Sequence, residues 1–237
     1  MNHSPLSFYT LGTGRAGTAV SRWLRSHGHR LVGAWNRSAP RAQRAASLLN
    51  VRVDRGELTE LPACGVVIVA VSDAAIAQTG RRLAPLLHPP MVAFHLSGSL
   101  AAGALGDLGV PRASVHPLVA LSDADTAQRS LDEALFTLEG DAIAVEHAER
   151  MLAPLGVSTQ RIAPPQKVRY HAAAVMASNL VVALVAEAAA LAREAGVKNA
   201  EGALAQLARS ALDQTLASGA AAGLTGPLRR GDLQPEE

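Results

Sequence analysis

Length, composition and charge exclude several classes of protein. At 237 residues, with 49% hydrophobic and 18% charged residues, the chain suits a globular protein of two unequal domains rather than a disordered one. A net charge of +2 and 3% aromatic residues make a poor nucleic-acid surface. The single cysteine, Cys64, excludes an internal disulfide and is expected to be a small buried hydrophobe. The N-terminus lacks the apolar run of a signal peptide, which favours the cytoplasm.

The first half of the chain predicts strands that alternate with helices. The strand "SFYTL" leads through a glycine turn into an amphipathic helix, and "RLVGAWN", "APRAQRAASLLN" and "VRVD" predict a strand, a helix and a short strand. The strand "GVVIVAVSD", the helix "AAIAQTGRRLAPLL" and the strand "MVAFHLSG" follow. The apolar run in "GVVIVAVSD" is typical of a strand covered on both faces. This alternation predicts an α/β protein with a doubly wound parallel sheet.

The second half of the chain predicts a change of architecture. "RASVHPLVALSD" and "ALFTLEGD" predict two further strands, "AIAVEHAERMLAPLG" a helix and "STQRIAP" a short strand. From Pro165 onward the pattern is helical, through about Gly196 and again from Ala200 to Ser218. Because a double proline interrupts the chain, we expect a sheet domain over residues 1–163 and a smaller all-helical domain over residues 164–237.

The stretch Ala172 to Leu191 is long enough to span a bilayer. It consists largely of weakly hydrophobic alanine and contains Ser178, Asn179 and Glu187, so we interpret it as the buried helix of a soluble protein. Its small residues would allow another helix to approach closely. The pattern therefore favours a tightly packed bundle or a homodimer seam.

A glycine turn follows the first predicted strand. Gly12, Gly14 and Gly17 form G-x-G-x-x-G between a strand and a helix, which is the context that dinucleotide binding requires. The first glycine permits the tight turn, the second lets the backbone approach a pyrophosphate, and the third brings the helix against the strand. Free N–H groups and the helix dipole would hold the phosphates. The alternative is a purely structural turn.

The end of the second predicted strand favours NADP over NAD. NAD enzymes usually carry an acid there, whereas this chain reads Asn36, Arg37, Ser38. Arg37 and Ser38 can meet a 2'-phosphate, with the guanidinium as a two-pronged donor. The alternative is a solvated arginine and a serine that caps the next helix.

Two further strand ends should border the cofactor, because ligands bind at the carboxyl ends of the strands in open α/β sheets. At the end of the fourth strand, Asp73 could cap the next helix instead of bordering the cofactor. "HLSGS" places His95, Ser97 and Gly98 at the end of the fifth strand. The predicted cofactor-binding residues are those of the turn and of the second, fourth and fifth strand ends: Gly12, Thr13, Gly14, Arg15, Ala16, Gly17, Asn36, Arg37, Ser38, Val71, Ser72, Asp73 and Ser97.

Titratable side chains begin the first long helix of the second half, in "KVRYHAAAVMASN". Lys167 and His171 are four residues apart and share a helix face. Ser178 returns to within about 20° of Lys167 at 3.6 residues per turn, while Asn179 is displaced by about 120°. The pattern predicts two reachable proton carriers at the head of the helix, or else the solvated end of a core helix.

Several motifs together resemble one bacterial family. "GTGRAGTA", "WNRS", "SVHPL", "FTLEGD", "KVRYHAAAVMASN" and "LTGPLRRGD" are similar to those of the Rossmann-like and DUF2520 domain-containing proteins. That family is related to pyrroline-5-carboxylate reductase and 6-phosphogluconate dehydrogenase. The resemblance implies a Rossmann-type NADP domain followed by a helical domain that commonly dimerises. Members usually continue some tens of residues past the last motif, so the helical domain is expected to be short or to lack its last helices.

The resemblance also implies roles for the titratable residues. In the related dehydrogenases a lysine on this helix faces the nicotinamide, which makes Lys167 the candidate acid or electrostatic stabiliser. His171 is the second candidate, and His116 in "SVHPL" is expected to approach from the first domain unless it is only a turn residue. A developing oxyanion needs a proton or a positive charge, and these side chains can supply either.

Three functions are compatible with these features. The first is an NADP-dependent oxidoreductase acting on a small carbonyl, imine or hydroxy compound. The second is a non-catalytic NADP-binding sensor that regulates a partner protein. A metal enzyme is a distant third, because none of the eight histidines shows H-E-x-x-H or a comparable ligand spacing.

Overall fold

The structure is a computed structural model that describes residues 5–121 and 127–219. The chain divides into two compact units, Met1–Ala174 and Val175–Glu237. The motif "LTGPLRRGD" lies outside the described residues. Each unit is considered by itself.

The first unit contains one sheet and the helices that cover it. Its strands are β1 (Ser7–Leu11), β2 (Arg30–Trp35), β3 (Val53–Asp54), β4 (Val66–Val69), β5 (Val92–His95), β6 (Arg112–Leu118), β7 (Leu135–Gly140) and β8 (Ser158–Arg161). Its helices are α1 (Arg15–Ser26), α2 (Ala39–Leu49), α3 (Asp73–Leu83), α4 (Ala127–Asp132), α5 (Ala142–Leu152) and most of α6 (Lys167–Val175). All eight strands coincide with predicted ones, and α4 is a short helix that the sequence pattern did not predict.

The strands form an eight-stranded sheet in the order β3-β2-β1-β4-β5-β6-β7-β8. All neighbouring strands are parallel except β6 and β7, which pair antiparallel. The strand order reverses at β1, which pairs with β2 on one side and β4 on the other. The carboxyl ends of β1 and β4 therefore border the crevice where ligands bind in such sheets. The predicted doubly wound α/β fold is confirmed.

Apolar side chains are buried on both faces of the sheet. One core cluster includes Trp23, Phe94 and Phe136, and the other includes Tyr9 and Met91. All four residues of β4 are buried, as expected for a strand with helices on both sides. This two-sided burial fixes the central strands, and with them the loops that follow their carboxyl ends.

The helical run Pro164–Glu194 continues from the first unit into the second. Met176–Leu180 is π-helical, and α7 (Val181–Glu194) and α8 (Ala200–Ser218) follow. This run is long and apolar enough to cross a membrane by length and composition, but one such helix is weak evidence for a membrane.

The expectation that Ala172–Leu191 is buried is wrong for the single chain. Only 6% of the most apolar part of this helix is buried, and Leu184 and Leu191 are 72% and 67% exposed. Among the described residues, the helix has too few apolar neighbours to cover it.

Candidate functional site

The glycine turn after β1 has the geometry that its spacing predicts. Gly12 has a φ of +93°, and its N–H donates to the Trp35 carbonyl at 2.8 Å. A Cβ at Gly12 would collide with the Ala70 carbonyl, and one at Gly17 would collide with the Gly12 carbonyl. At Gly14 a Cβ would meet no atom within 4 Å. The first and third glycines therefore permit close packing, while the second leaves open space at the start of α1.

Polar side chains connect this turn to the end of β2. The Asn36 amide donates to Thr13 Oγ1 at 2.7 Å, and both residues are buried. The Ser38 N–H donates to Asn36 Oδ1 at 2.9 Å. Ser38 precedes α2, but its side chain makes no capping hydrogen bond there. Arg37 is exposed beside this network, so its guanidinium is free to reach a ligand at this strand end.

A cleft of about 530 Å³ opens beside the turn. Arg15, Arg41 and Arg44 line it together with backbone at the start of α1. Three exposed guanidiniums near unpaired helix N–H groups make this cleft favourable for phosphate groups. Arg15 is among the residues predicted from the sequence, whereas Arg41 and Arg44 are not. Their spacing on the helix does not distinguish them from arginines on an ordinary solvent-exposed face. Ala16, half-buried in the first turn of α1, has a side chain with no polar atom to bring to the cleft.

The ends of β4 and β5 are joined by hydrogen bonds to one carboxylate. Ser97 and Ser99 donate to Asp73 Oδ2 at 2.9 and 2.7 Å. Asp73 is the first residue of α3, and Ser72, which precedes it, makes no side-chain capping bond. Val71 lies beside the glycine turn, 3.1 Å from where a Cβ of Gly12 would be. Asp73 thus connects the cofactor end of the sheet with the loop after β5 instead of capping its helix.

His95 stabilises the loop after β5 by two hydrogen bonds. It is fully buried; the Ser97 N–H donates to its Nδ1 at 3.1 Å, and its Nε2 donates to the Ala101 carbonyl at 3.1 Å. Burial is the main cause that lowers the pKa of His95 to about 4. The ring is therefore neutral at pH 7, and its two hydrogen bonds hold the loop in place.

Lys167 is buried, which excludes the alternative that it lies at the solvated end of its helix. Its side chain is 1% exposed, and Nζ donates to the Ser97 carbonyl at 3.0 Å and to Ser114 Oγ at 2.6 Å. Burial lowers its pKa to about 8, although Glu139 and Asp73 favour the ammonium form. The expectation that Lys167 is a freely reachable proton carrier is wrong, because its ammonium group is committed to the β5 and β6 ends.

His116 and Tyr170 form a pair next to this lysine. The Tyr170 hydroxyl and His116 Nδ1 are 2.7 Å apart and share a hydrogen bond. The rings are nearly perpendicular, with centroids 5.6 Å apart. Burial, and then the positive charges of Lys167 and His171, lowers the pKa of His116 to about 4. Burial raises the pKa of Tyr170. His116 is therefore a neutral imidazole with one nitrogen held by a phenol.

His171 completes the cluster, as its spacing from Lys167 predicts. Its ring lies nearly perpendicular to that of His116, with centroids 6.1 Å apart. Its Nδ1 is buried and has no hydrogen-bond partner. Nδ1 of His171 and Nε2 of His116 both approach Gly98. Three of the titratable groups singled out in the sequence, Lys167, His171 and His116, thus lie together at the carboxyl edge.

Some functional residues could not be recognised in the sequence. Ser114 and Glu139 face each other on β6 and β7, and nothing in their strands marks them as polar partners of a buried lysine. Tyr170 stood among the titratable residues without a role. Met176–Leu180 is π-helical and has more residues per turn than the α-helix assumed for the angles of Ser178 and Asn179, so their alignment relative to Lys167 stays a prediction.

The cluster holds donors and a positive charge but no evident metal site. Within residues 5–121 and 127–219, no three His, Cys, Asp or Glu side chains form a group that could hold a metal ion. Lys167 brings an ammonium charge, and His116 and His171 bring ring nitrogens. Such groups can stabilise negative charge on an oxygen and can transfer a proton.

The family resemblance is confirmed over the second part of the chain. Residues 134–235 match the family model described as "Domain of unknown function (DUF2520)". No curated protein matches the chain.

Solved structures with the same fold cover nearly the whole chain. A protein of Thermotoga maritima is 27% identical, with 95% of this chain and 85% of that one covered and a TM-score of 0.75. A candidate NADP oxidoreductase of Bacteroides fragilis is 19% identical, covering 96% and 87%, with a TM-score of 0.82. The 1-pyrroline-5-carboxylate reductase of Streptococcus pyogenes is 14% identical, covering 98% and 86%, with a TM-score of 0.69. These similarities confirm the Rossmann-type fold of the chain.

Proposed function

We propose that the protein is an NADP-dependent oxidoreductase that acts on a small carbonyl, imine or hydroxy compound. The observation that carries the proposal is a continuous series of contacts along the carboxyl edge of the sheet. It runs from the glycine turn past Ala70 to Asp73, and from Asp73 through the loop of Ser97 to His116 and His171. A dinucleotide laid along this edge would have its phosphates at the turn and its reactive end at the cluster.

The residues at the turn fit a dinucleotide. The space beside Gly14 is open, and Gly14 precedes α1 without a side-chain cap. The first N–H groups of α1 are therefore available to phosphate oxygens. Thr13 and Asn36 hold the turn against the end of β2. Bound NADPH would supply a hydride. The polypeptide has to orient the substrate, exclude water and stabilise charge on its reacting heteroatom.

Lys167 acts electrostatically in this proposal. Its ammonium group touches two protein oxygens, so its role is to place positive charge beneath the loop after β5. That charge favours negative charge developing on a substrate oxygen near His116 and His171. His171, whose Nδ1 has no partner in the protein, is the group available to exchange a proton with the substrate.

Preference for NADP over NAD rests on the end of β2. No carboxylate follows Trp35 in "WNRS", and Arg37, which is exposed at this strand end, can donate to a 2'-phosphate. Arg41 and Arg44 add positive charge to the neighbouring cleft. The similarity to a candidate NADP oxidoreductase of Bacteroides fragilis supports the same choice.

Turnover separates this proposal from an NADP-binding regulator. Titration with NADPH and NADH gives the two affinities, and NADPH absorbance is then followed with a panel of small aldehydes, ketones, imines and, in reverse, alcohols. We expect tighter binding of NADPH and its consumption with at least one member of the panel. Binding without consumption by any member would favour a regulator, and equal affinity for both cofactors would contradict the NADP preference.

We also propose that the second unit forms a homodimer. Large apolar side chains of α7 and α8 are exposed in the single chain, among them Val182 (70%), Leu184 (72%), Leu207 (64%) and Leu216 (86%). A soluble monomer rarely leaves so much apolar surface open to water. Light scattering at micromolar concentration should give twice the monomer mass. A monomer mass would contradict this proposal without affecting the proposed reaction.

A further inference from the structure

The cleft beside the glycine turn lies between two helices of the first unit. On each helix an arginine and the residues three and four positions after it line the cleft, and such residues share one helix face: Arg15, Thr18 and Ala19 on α1, and Arg41, Arg44 and Ala45 on α2. Ala19 and Ala45 are each 2% exposed, whereas the three arginines are exposed. Two short buried side chains therefore form the base of a cleft of about 530 Å³, and three long cationic ones border it.

The three arginines have no partner in the described part of the chain. On α1, Arg25 donates to a backbone carbonyl of α2. Among the described residues, Arg15, Arg41 and Arg44 take part in no ion pair or hydrogen bond of this kind. One reason lies in the sequence, because α1 and α2 contain no acidic residue and Asp54 is the first acid of the chain. Three like charges therefore border one cleft without compensation.

Two of these charges lie at the end of a helix where a cation is unfavourable. Arg15 is the first residue of α1, and Arg41 is the third residue of α2. Helix N-termini carry partial positive charge, so they stabilise anions and disfavour cations. Neither helix has an acidic residue in its first turn, and neither N-cap residue makes a side-chain hydrogen bond there. The arrangement is electrostatically unfavourable in the protein alone, and an anion in the cleft would make it favourable.

A phosphate monoester matches this arrangement better than a carboxylate does. Its dianion carries close to two negative charges at pH 7 and has three strong acceptor oxygens. Guanidinium groups bind such oxygens through pairs of parallel hydrogen bonds, and helix N-termini add N–H donors. A carboxylate would offer three arginines one charge and two oxygens. The cleft is larger than a phosphate group, so an organic portion can lie beside Leu48, which lines the cleft and is 42% exposed.

We propose that Arg15, Arg41 and Arg44 form a binding site for the dianion of a phosphate monoester between α1 and α2. The site goes beyond the proposed reaction, because an anion can bind here whether or not the protein turns over a substrate. Two sources share this chemistry. One is the 2'-phosphate of NADPH, since Thr13 and Gly14 belong to the glycine turn and also line the cleft. The other is a separate phosphorylated compound.

Thermal unfolding of the full-length protein with inorganic phosphate, which has the same dianionic group, tests the site without a cofactor. Arg41→Gln and Arg44→Gln together remove two of the three charges at exposed positions, so this double variant should fold. Arg81→Gln and Arg82→Gln together are the matched control, because these residues are exposed on α3 and do not line the cleft.

The general effect of phosphate on stability is common to all three proteins, so the difference between them reports the site. At equal ionic strength, phosphate in place of chloride should raise the Tm of the parent and of the control by about 2 °C more than that of the Arg41 and Arg44 double variant. An equal rise in all three proteins would overturn the proposal.

Repeating the phosphate titration on the parent saturated with NADPH or with NADH identifies the source. Loss of the phosphate effect with NADPH but not with NADH assigns the site to the 2'-phosphate. The double variant should then bind NADPH at least about tenfold more weakly, with NADH affinity within about twofold of the parent. A phosphate effect that persists with both cofactors assigns the site to a separate phosphorylated compound. A phosphate effect in a protein that binds neither cofactor would support the anion site and contradict the proposed function.

Discussion

The glycine turn after β1 and the loop at Gly98 both depend on a missing side chain, but different atoms lie against the glycines. At Gly12 and Gly17 an added Cβ would meet backbone carbonyls, so these glycines serve close packing between β1, α1 and β4. At Gly98 the neighbours are ring nitrogens of two histidines. A methyl group placed against backbone carbonyls should cost more stability than one placed against side chains, because side chains can shift aside.

The largest effect is expected at Gly17. Gly17→Ala forces a methyl group against the Gly12 carbonyl, which should cost about 1 to 3 kcal/mol in free energy of unfolding and abolish measurable NADPH binding. Gly14→Ala is the control, because the space beside Gly14 is open and an alanine there should cost under about 1 kcal/mol. Urea unfolding without ligand compares the two variants. Equal stabilities would show that packing does not separate these glycines.

The buried histidine under the Gly98 loop should make stability depend on pH. His95 has a pKa of about 4 in the folded protein against 6.5 in the unfolded chain, so unfolded molecules bind more protons between these values. Stability contributed by neutral His95 is therefore complete above pH 6.5 and is lost as the pH falls toward 4, by on the order of 3 kcal/mol. His95→Gln should make this part of the curve less steep, measured by urea unfolding between pH 7 and 4, while His116, whose pKa is also lowered to about 4, keeps its own contribution.

The control for this pH dependence is His147, which is half-buried on α5. His147→Gln should keep the slope of the parent protein. An identical slope in the His95 and His147 variants would contradict the assignment of the acid sensitivity to the loop beneath Gly98.

Replacement of Lys167 or of His171 should reduce turnover while leaving cofactor binding intact. Lys167→Met and His171→Gln should each lower kcat at least about tenfold on a substrate that the parent reduces. With a pKa of about 8, Lys167 is charged below that value, so the parent's activity should fall as the pH rises through 8. The activity of Lys167→Met should not show this decline as the pH rises through 8. Unchanged turnover in both variants would make the cluster merely structural.

The smallest effect in this series is expected at the other end of the cofactor. Arg37→Asp replaces a side chain that can donate hydrogen bonds to a 2'-phosphate with one that can accept them from ribose hydroxyls. The order of NADPH and NADH affinities should therefore reverse, with a loss of about tenfold in affinity for NADPH. Isothermal titration of both cofactors measures it. Arg55→Asp, on an exposed residue after β3, controls for the change of charge. The same reversal in Arg55→Asp would implicate net charge instead of a specific contact.

The fold was largely predictable from the sequence because its signals are local. Apolar runs such as Val66–Val69 are strands by composition, and the glycine spacing fixes the turn after β1. The short helix α4 was not predicted, because its six mostly polar residues show no clear hydrophobic periodicity. Side-chain periodicity also could not show the π-helical segment at Met176–Leu180, which depends on backbone hydrogen bonding.

The candidate site was predictable only in part. Spacing placed Lys167 and His171 on one face, and both do lie at the cluster. The burial of Lys167 was not predictable, since it depends on Ser114 and the Ser97 carbonyl from strands far away in the sequence. The approach of His116 and His171 to Gly98 likewise arises from tertiary packing. Local patterns identified the candidate residues, and only the fold determined which atoms they face.

The most direct test of the account is NADPH consumption by the purified full-length protein with a panel of small aldehydes and ketones, run in parallel on the parent protein and on Lys167→Met. We expect at least one carbonyl compound to be reduced to its alcohol, with NADPH and not NADH as the preferred donor. We also expect Lys167→Met to bind NADPH normally but to turn over at least about tenfold more slowly. Tight NADPH binding with no consumption across the panel, or equal rates in the two proteins, would contradict it.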